Sequence, residues 1–301
     1  MLNRIKRLFF LMMLVCCFVH ATADDTLRVA TYNIRVDTDQ DTGSRDWHHR
    51  KEHIGNIIRD LYQFDLFGVQ EIRSTYQQNS LFSLLTDTYE MYLKAVGNTE
   101  GTLGERNAIF FRTNRFTPLE SGSFFLSETP EKPAAGWDAM LHRNCVWLKL
   151  KDRKTQHDFY FFCTHFDHKG VQARENAAKL VIDKIHKINR ENLPVVLVGD
   201  FNSQEDKPAV ATILEGGMSD SRALLSPEKI TGPLGTTNGW NKPPENLKNR
   251  IDFIFVNSSI DVLSYSTITD KFYEDAYPSD HFPVMIKILF QKEAQGSSEY
   301  E

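Results

Sequence analysis

The sequence predicts a mixed α/β fold, two packed sheets with helices outside. Two observations carry this. Several short runs are apolar at successive positions, among them VVLV at 195–198, FYFF at 159–162 and FIFV at 253–256. Strands covered on both faces read that way. Hairpins also alternate with helical crossovers along the chain, the pattern of a mixed sandwich.

The elements follow in order. Residues 27–34 form a first strand. Ile54, Ile57, Ile58 and Leu61 recur at helical spacing and mark a helix. Residues 65–70 make a second strand that ends at Glu71. Leu81, Leu84 and Leu85 mark another helix. Residues 108–112 are a strand and 116–126 are extended. Residues 145–151 and 157–163 pair as a hairpin centred near Lys154, which sets Cys145 opposite Cys163. Directly opposed strand positions rarely suit a disulfide, so two buried thiols are expected. Ala173, Ala177, Val181, Ile185 and Ile188 mark a helix closed by Pro194. Residues 195–198, 251–256 and 284–289 complete the strands.

Length and charge narrow the class. The 301 residues, 41% hydrophobic, are ample for a full core. Residues 1–23 read as a secretory signal peptide: Arg4, Lys6 and Arg7, then an apolar run over 8–19, then Ala21-Thr22-Ala23. The run is too short to span a bilayer, which takes about 20 residues. A lipoprotein reading of Cys16 or Cys17 is the lesser alternative, because apolar sequence continues past Cys17. Residues 24–290 are left as one domain and 291–301 as a polar tail. No second apolar run follows, so a secreted or periplasmic, soluble, monomeric protein is expected. Without the leader, Lys plus Arg falls from 35 to 32 against 40 Asp plus Glu, a formal charge of −8. No global field attracts long polyanions, so nucleic acid is a less natural partner than a small phosphoester, although a local basic cleft could bind it.

The polar exceptions share one kind of place. Asn33, Glu71, His165, Asp200 and Asn202 each sit at or just past the end of an apolar run. Asp252 opens one, and Asp280 and His281 precede one. Strand ends on one rim converge on a cleft. Clustered carboxylates repel, and a divalent cation resolves that conflict. Glu71, Asn33 and Asp280 are oxygen donors, which suit Mg²⁺ or Mn²⁺ rather than zinc. His165 and His281 are then free for proton and phosphate work.

Six motifs now form a series: TYNIR, GVQEI, THFDH, LVGDFNS, RIDFIFV and YPSDHFPV. In this order they resemble the endonuclease/exonuclease/phosphatase superfamily over about residues 28–290. Its members include pancreatic deoxyribonuclease, inositol polyphosphate phosphatases and carbon-catabolite-repressor-type deadenylases. The chain is most similar to an exported bacterial branch. The resemblance implies a four-layer α/β/β/α sandwich and Mg²⁺-dependent phosphoester hydrolysis by water attack on phosphorus. It implies that Glu71 is the metal ligand with Asn33 beside it, and that Asp280 lies near a second metal position. Asp200 orients or deprotonates the water, and Asn202 holds water or phosphate. Asp252 orients His281, and His165 contacts phosphate.

Other readings stand beside these. Glu71 could be a helix N-terminal carboxylate, Asn33 a turn residue, and His165 a satisfied core histidine. Arg143 could grip phosphate or form a surface ion pair, and Arg35 and Arg106 share that ambiguity. Asp167 reads as a support for the substrate site. Residues 235–240 look like a loop over the cleft, where Trp240 stacks on a ring or packs the loop down. His48, His49 and His53 read as solvated. The expected function is a secreted phosphoesterase acting on a monoester or diester. The alternatives are a 3′-5′ exonuclease or endonuclease, and an inactive binding protein on the same scaffold.

Overall fold

The computed structural model describes residues 25–94, 105–272 and 276–291. The signal-peptide reading lies outside them, as does the tail beyond Gln291. Among the described residues, thirteen strands make two sheets. The first contains β1 (Leu27–Asn33), β2 (Leu66–Ile72), β3 (Tyr89–Leu93), β4 (Arg106–Arg112), β10 (Ile230–Thr231), β12 (Ile260–Thr267) and β13 (Val284–Phe290), in the order β10-β12-β13-β1-β2-β4-β3. The second contains β5 (Phe116–Phe125), β6 (Asn144–Asp152), β7 (Asp158–His165), β8 (Val195–Asp200), β9 (Ser219–Asp220) and β11 (Asp252–Val256), in the order β5-β6-β7-β8-β11-β9. Both are mixed. β1 pairs parallel with β2 and antiparallel with β13; β8 pairs parallel with β7 and antiparallel with β11.

Three apolar clusters make the layers. Val29, Leu66, Phe161, Val198 and Ile254 belong to the one between the sheets. The outer face of the first sheet packs under α1 (Trp47–Asn56) and α2 (Thr75–Leu85) through Ile54, Phe67, Leu81 and Phe110. The outer face of the second packs under α3 (Val171–Ile188) and α4 (Pro208–Glu215) through Phe162, Val181, Ile213 and Phe255. Alternate residues of one strand therefore feed two cores, which is why these strands are apolar throughout. Among the described residues no helix is long and apolar enough to cross a membrane.

Three local expectations change. α1 runs into a π turn over Ile57–Leu61. Its extra residue rotates the helix, so Ile57 and Ile58 stay buried while Leu61 is exposed. The β6–β7 hairpin is one residue out of the expected register: Cys145 faces Thr164, and Cys163 faces Val146. Cys163 therefore points between the sheets and Cys145 under the helices, both as free thiols. Short β3, β9 and β10, α4, and β12 were not distinguished in the sequence.

Two glycines permit close approaches near the rim. A Cβ on Gly68 would lie 2.6 Å from Val198 Cγ2 and 2.7 Å from Cys163 Sγ. The sheets meet there without room for a side chain. Gly199 has φ +154°, and a Cβ there would lie 2.1 Å from the Thr164 carbonyl oxygen. Gly199→Ala should cost about 1–3 kcal/mol through backbone strain alone. Thermal unfolding of the variant checks this, and an unchanged midpoint would contradict it.

Candidate active site

Sheet topology brings the polar strand ends together. Asn33 ends β1, His165 ends β7 and Asp200 ends β8, while Asp252 begins antiparallel β11 at the position paired with Asp200. His165 pairs with Asp200 across β7–β8. Asp280 and His281 lie just before β13, which runs antiparallel to β1.

Glu71 sits inside β2, not at a helix start; α2 begins at Thr75 and is capped by the Ser74 hydroxyl. β2 bulges between Val69 and Ile72, and Glu71 takes φ +69°. Such a bulge re-aims a side chain. Glu71 Oε1 accepts from Asn33 Nδ2 at 2.9 Å, and Oε2 from the Val36 amide at 3.0 Å. Asn33, wholly buried, also donates to Asp200 Oδ2 at 3.0 Å. One amide thus joins the two sheets.

Asp200 is the centre of the cluster. Its Oδ1 accepts from the Asn202 amide at 2.9 Å. Its Oδ2 lies 3.4 Å from His165 Nε2 and 3.9 Å from His281 Nε2. Burial and then the Asp252 charge push its pKa up to about 7, against the lowering effect of His281 and the Asn202 and Asn33 hydrogen bonds.

The two histidines are driven apart. Burial lowers the pKa of His281, but Asp252 Oδ2 at 2.9 Å from Nδ1, with the Asp200 and Asp280 charges, holds it well above the usual value. The charged imidazolium is the form that these carboxylates favour. Burial, and then the Arg143, His281 and His168 charges, hold His165 well below the usual value. Arg143 Nη1 lies 2.8 Å from His165 Nδ1. A guanidinium has only donors, so Nδ1 accepts and Nε2 carries the proton towards Asp200 Oδ2 at 3.4 Å; Asn202 Nδ2, which donates to the Phe166 carbonyl at 3.0 Å, lies 3.1 Å from the same Nε2.

Several expectations need correction. Arg143 is no surface ion pair: it is buried between Glu105, His165 and His168. Asp167 is turned to the backbone and supports the loops around the site. Its four acceptor positions are taken by the amides of Met140 and Leu141 (3.0 Å each), Lys169 (2.9 Å) and Gly170 (2.7 Å). It ties the loop before Arg143 to the end of β7. Residues 235–240 are anchored to the segment that carries Asp280. Thr236 and Asn238 are buried; Thr236 Oγ1 donates to Asp252 at 2.6 Å, and Asn238 binds the carbonyls of Ser279 and Asp280. The Trp240 ring lies 5.6 Å from both the Arg45 and the Arg50 guanidinium groups, so it packs the loop down rather than offering a stacking face. Arg35 pairs with Asp41 at 2.9 Å, and Arg106 with Gln78. His48 and His49 are solvated; His53 stacks on Phe272.

The donor set fits a hard cation. The ligand atoms of Glu71, Glu105 and His165 lie within 4.8 Å of one another, as do those of Asp200, Asp252 and His281. Arg143 contacts Glu105 and His165 of the first group, and His281 belongs to the second. The uncompensated charge falls on Glu71 and Asp280. Burial raises Asp280, and the Glu71 charge adds to the rise while His281 and Arg35 oppose it. A dication against Glu71 and Asp280 would relieve that repulsion with oxygen ligands; the Asn33 side-chain oxygen beside them accepts from the Arg35 backbone N–H at 3.0 Å.

The comparisons agree with this geometry. The Endonuclease/Exonuclease/phosphatase family matches residues 30–281. The chain belongs to that family, whose members are phosphatases and nucleases and generally depend on a divalent metal. A family protein from Bacteroides thetaiotaomicron is 36% identical with TM-score 0.81, covering 89% of this chain and 99% of its own. The mannosyl-6-phosphatase of Bacteroides thetaiotaomicron VPI-5482 is 36% identical with TM-score 0.80, covering 88% and 100%. The human Nocturnin catalytic domain, 20% identical with TM-score 0.69 over 89% and 94%, shares the fold. No curated protein matches the chain.

Burial raises the Asp167 pKa, but its four backbone donors outweigh that and hold it below the usual range. Its stabilisation is therefore present above its ordinary value near 4 and is lost as pH falls through its folded value. Asp167→Asn should lower stability by about 2 kcal/mol at pH 7, the scale of a hydrogen bond to a charged group. Denaturant titrations at pH 7 and pH 3 should show that gap shrinking in acid. An equal gap at both would contradict the assignment.

Proposed function

We propose that the protein is an exported, divalent-metal-dependent phosphoesterase acting on a small phosphoester, with phosphorylated sugars the favoured class. The observation that carries the reaction type is the environment of Asp200. It is a buried carboxylate poised near neutral pH, in reach of one amide, one neutral imidazole and one imidazolium. The sugar is supported by the relative described as a mannosyl-6-phosphatase. The leader sequence over residues 1–23 supports export.

Each side chain has a distinct task. Asp200 accepts the proton of the attacking water, since a base with pKa near the working pH balances availability against driving force. The His165 Nε2–H and Asn202 orient the phosphoryl oxygens. The His281 imidazolium, kept charged by Asp252, offsets charge growing on the oxygens as the P–O bond breaks. Mg²⁺ or Mn²⁺ held by Glu71, Asn33 and Asp280 would supply further positive charge to those oxygens. This intact set argues against an inactive scaffold, and the acidic balance of the chain argues against long nucleic acid.

Purified protein with Mg²⁺, Mn²⁺ or EDTA should be assayed against mannose 6-phosphate, p-nitrophenyl phosphate, bis-p-nitrophenyl phosphate, RNA and DNA. Metal-dependent phosphate release from the sugar ester, abolished by EDTA, is expected. Stepwise shortening of RNA, or inertness towards every ester, would overturn the reading.

Asp200→Asn and His281→Ala should each cut turnover by at least ~10²-fold, the scale of a lost acid/base group. Near wild-type turnover in both would remove these roles.

A further inference from the structure

Arg50 is wholly buried on α1, between solvated histidines and the cleft. Among the described residues, its guanidinium touches no carboxylate and hydrogen-bonds main-chain carbonyls alone. Nε donates to Arg45 O at 2.8 Å. Nη1 donates to Ile34 O and to Pro278 O, the latter at 3.4 Å. Nη2 donates to Arg35 O and Val36 O, both at 2.9 Å. A guanidinium has five N–H groups in a rigid plane, and each has one carbonyl here. The guanidinium carbon lies 5.0 Å from the centre of the Trp47 ring and 5.6 Å from that of Trp240.

A buried cation without a contacting anion is costly. Burial does press the Arg50 pKa down, to about 10, against the charges of Tyr32, Asp280 and Asp41. The compensation lies in what the five carbonyls belong to. Ile34, Arg35 and Val36 follow Asn33 and include the amide that binds Glu71. Pro278 stands two residues before Asp280 and three before His281. Those two segments come from opposite ends of the sequence. Besides Arg50, the Ser279 hydroxyl joins them, donating to Asn33 O at 2.7 Å. Trp240 connects the same fork to the loop whose Thr236 holds Asp252.

We propose that Arg50 is a positioning residue: its five-toothed fork fixes the spacing between the Asn33–Glu71 side of the cleft and the Asp280–His281 side. A lysine cannot replace it, because three donors on one point do not span five carbonyls. Its kinetic consequence rests on the phosphoesterase reading; its structural consequence does not.

Two readouts separate the two. The first is the low-field proton resonance of His281 Nδ1–H, which reports the bond to Asp252 and needs no substrate. In Arg50→Met and Arg50→Lys this signal should broaden through exchange with water while far-UV circular dichroism stays native. The second is kinetics on p-nitrophenyl phosphate. The expected loss is about 10²-fold in kcat, the scale of a misplaced reacting geometry, with KM within about threefold. Methylguanidinium added to Arg50→Ala should restore both signals. A native His281 resonance together with wild-type kcat in either folded variant would overturn the proposal. Should the methionine variant fail to fold, the lysine variant, which keeps the charge, decides alone. Should the wild type hydrolyse nothing, a lost resonance in the variants still supports positioning while the functional reading falls.

Discussion

Two carboxylates, Asp200 and Asp252, occupy paired positions on antiparallel strands, and both are shielded from water. The rest of the site depends on how that repulsion is managed. Asp252 Oδ2 accepts from the Thr236 hydroxyl at 2.6 Å and lies 2.9 Å from His281 Nδ1, while its buried Oδ1 has no hydrogen-bond partner among the described residues. Asp200 receives only a side-chain amide and a backbone N–H as close donors, and carries the cost as a raised pKa. Swapping those neighbours would swap the roles. The register of β8 against β11 is therefore a chemical statement: a slip by one residue would turn Asp252 to the opposite face and leave Asp200 an ordinary buried anion without its repelling partner.

The scaffold serves this juxtaposition by bringing two sheets to near contact at the rim. Gly68 and Gly199 clear the space, and Asn33 spans it from Glu71 to Asp200. The first sheet brings Glu71 and Asn33, and the second brings His165, Asp200 and Asp252; in the proposed reaction these would be the cation side and the proton side of the cleft. Neither sheet contains a complete site, which explains why the interior between them must be closely packed: a shift of one sheet over the other would separate metal chemistry from proton chemistry.

Much of this was legible in the sequence because polar residues interrupt apolar strands at their ends, where burial makes them conspicuous. Asn33, Glu71, His165, Asp200, Asn202, Asp252, Asp280 and His281 all announced themselves so, and all converge. What stayed hidden acts through the backbone or across the chain. Arg50 sits in a polar, histidine-rich stretch and looks solvated; the available clue was Trp47 three residues earlier, on the same helix face. Glu105 stands before a strand without any motif, and its tie to Arg143 depends on which strands become neighbours. Asp167 has the composition of a ligand, but its four backbone partners can be known only once two loops are placed. The cysteine register failed for a simple reason: one extra residue in the β6–β7 turn moves both thiols to opposite faces, and composition does not set turn length.

The pair of histidines shows why residue type alone was an insufficient guide. Both are buried, and both reach towards Asp200 Oδ2 through Nε2. At Nδ1, one meets a carboxylate and the other a guanidinium. The carboxylate holds His281 towards its charged form; burial, and then the guanidinium, hold His165 towards its neutral one. Two imidazolium groups against a single phosphate would bind it tightly in the ground state and after reaction alike, and product release would suffer. In the proposed reaction, one charged and one neutral donor would keep the strongest charge for the oxygens that gain charge during bond breaking. The differentiation follows from partners one atom beyond the cleft, so Arg143 and Asp252 decide the chemistry of residues that a motif search would treat as equivalent.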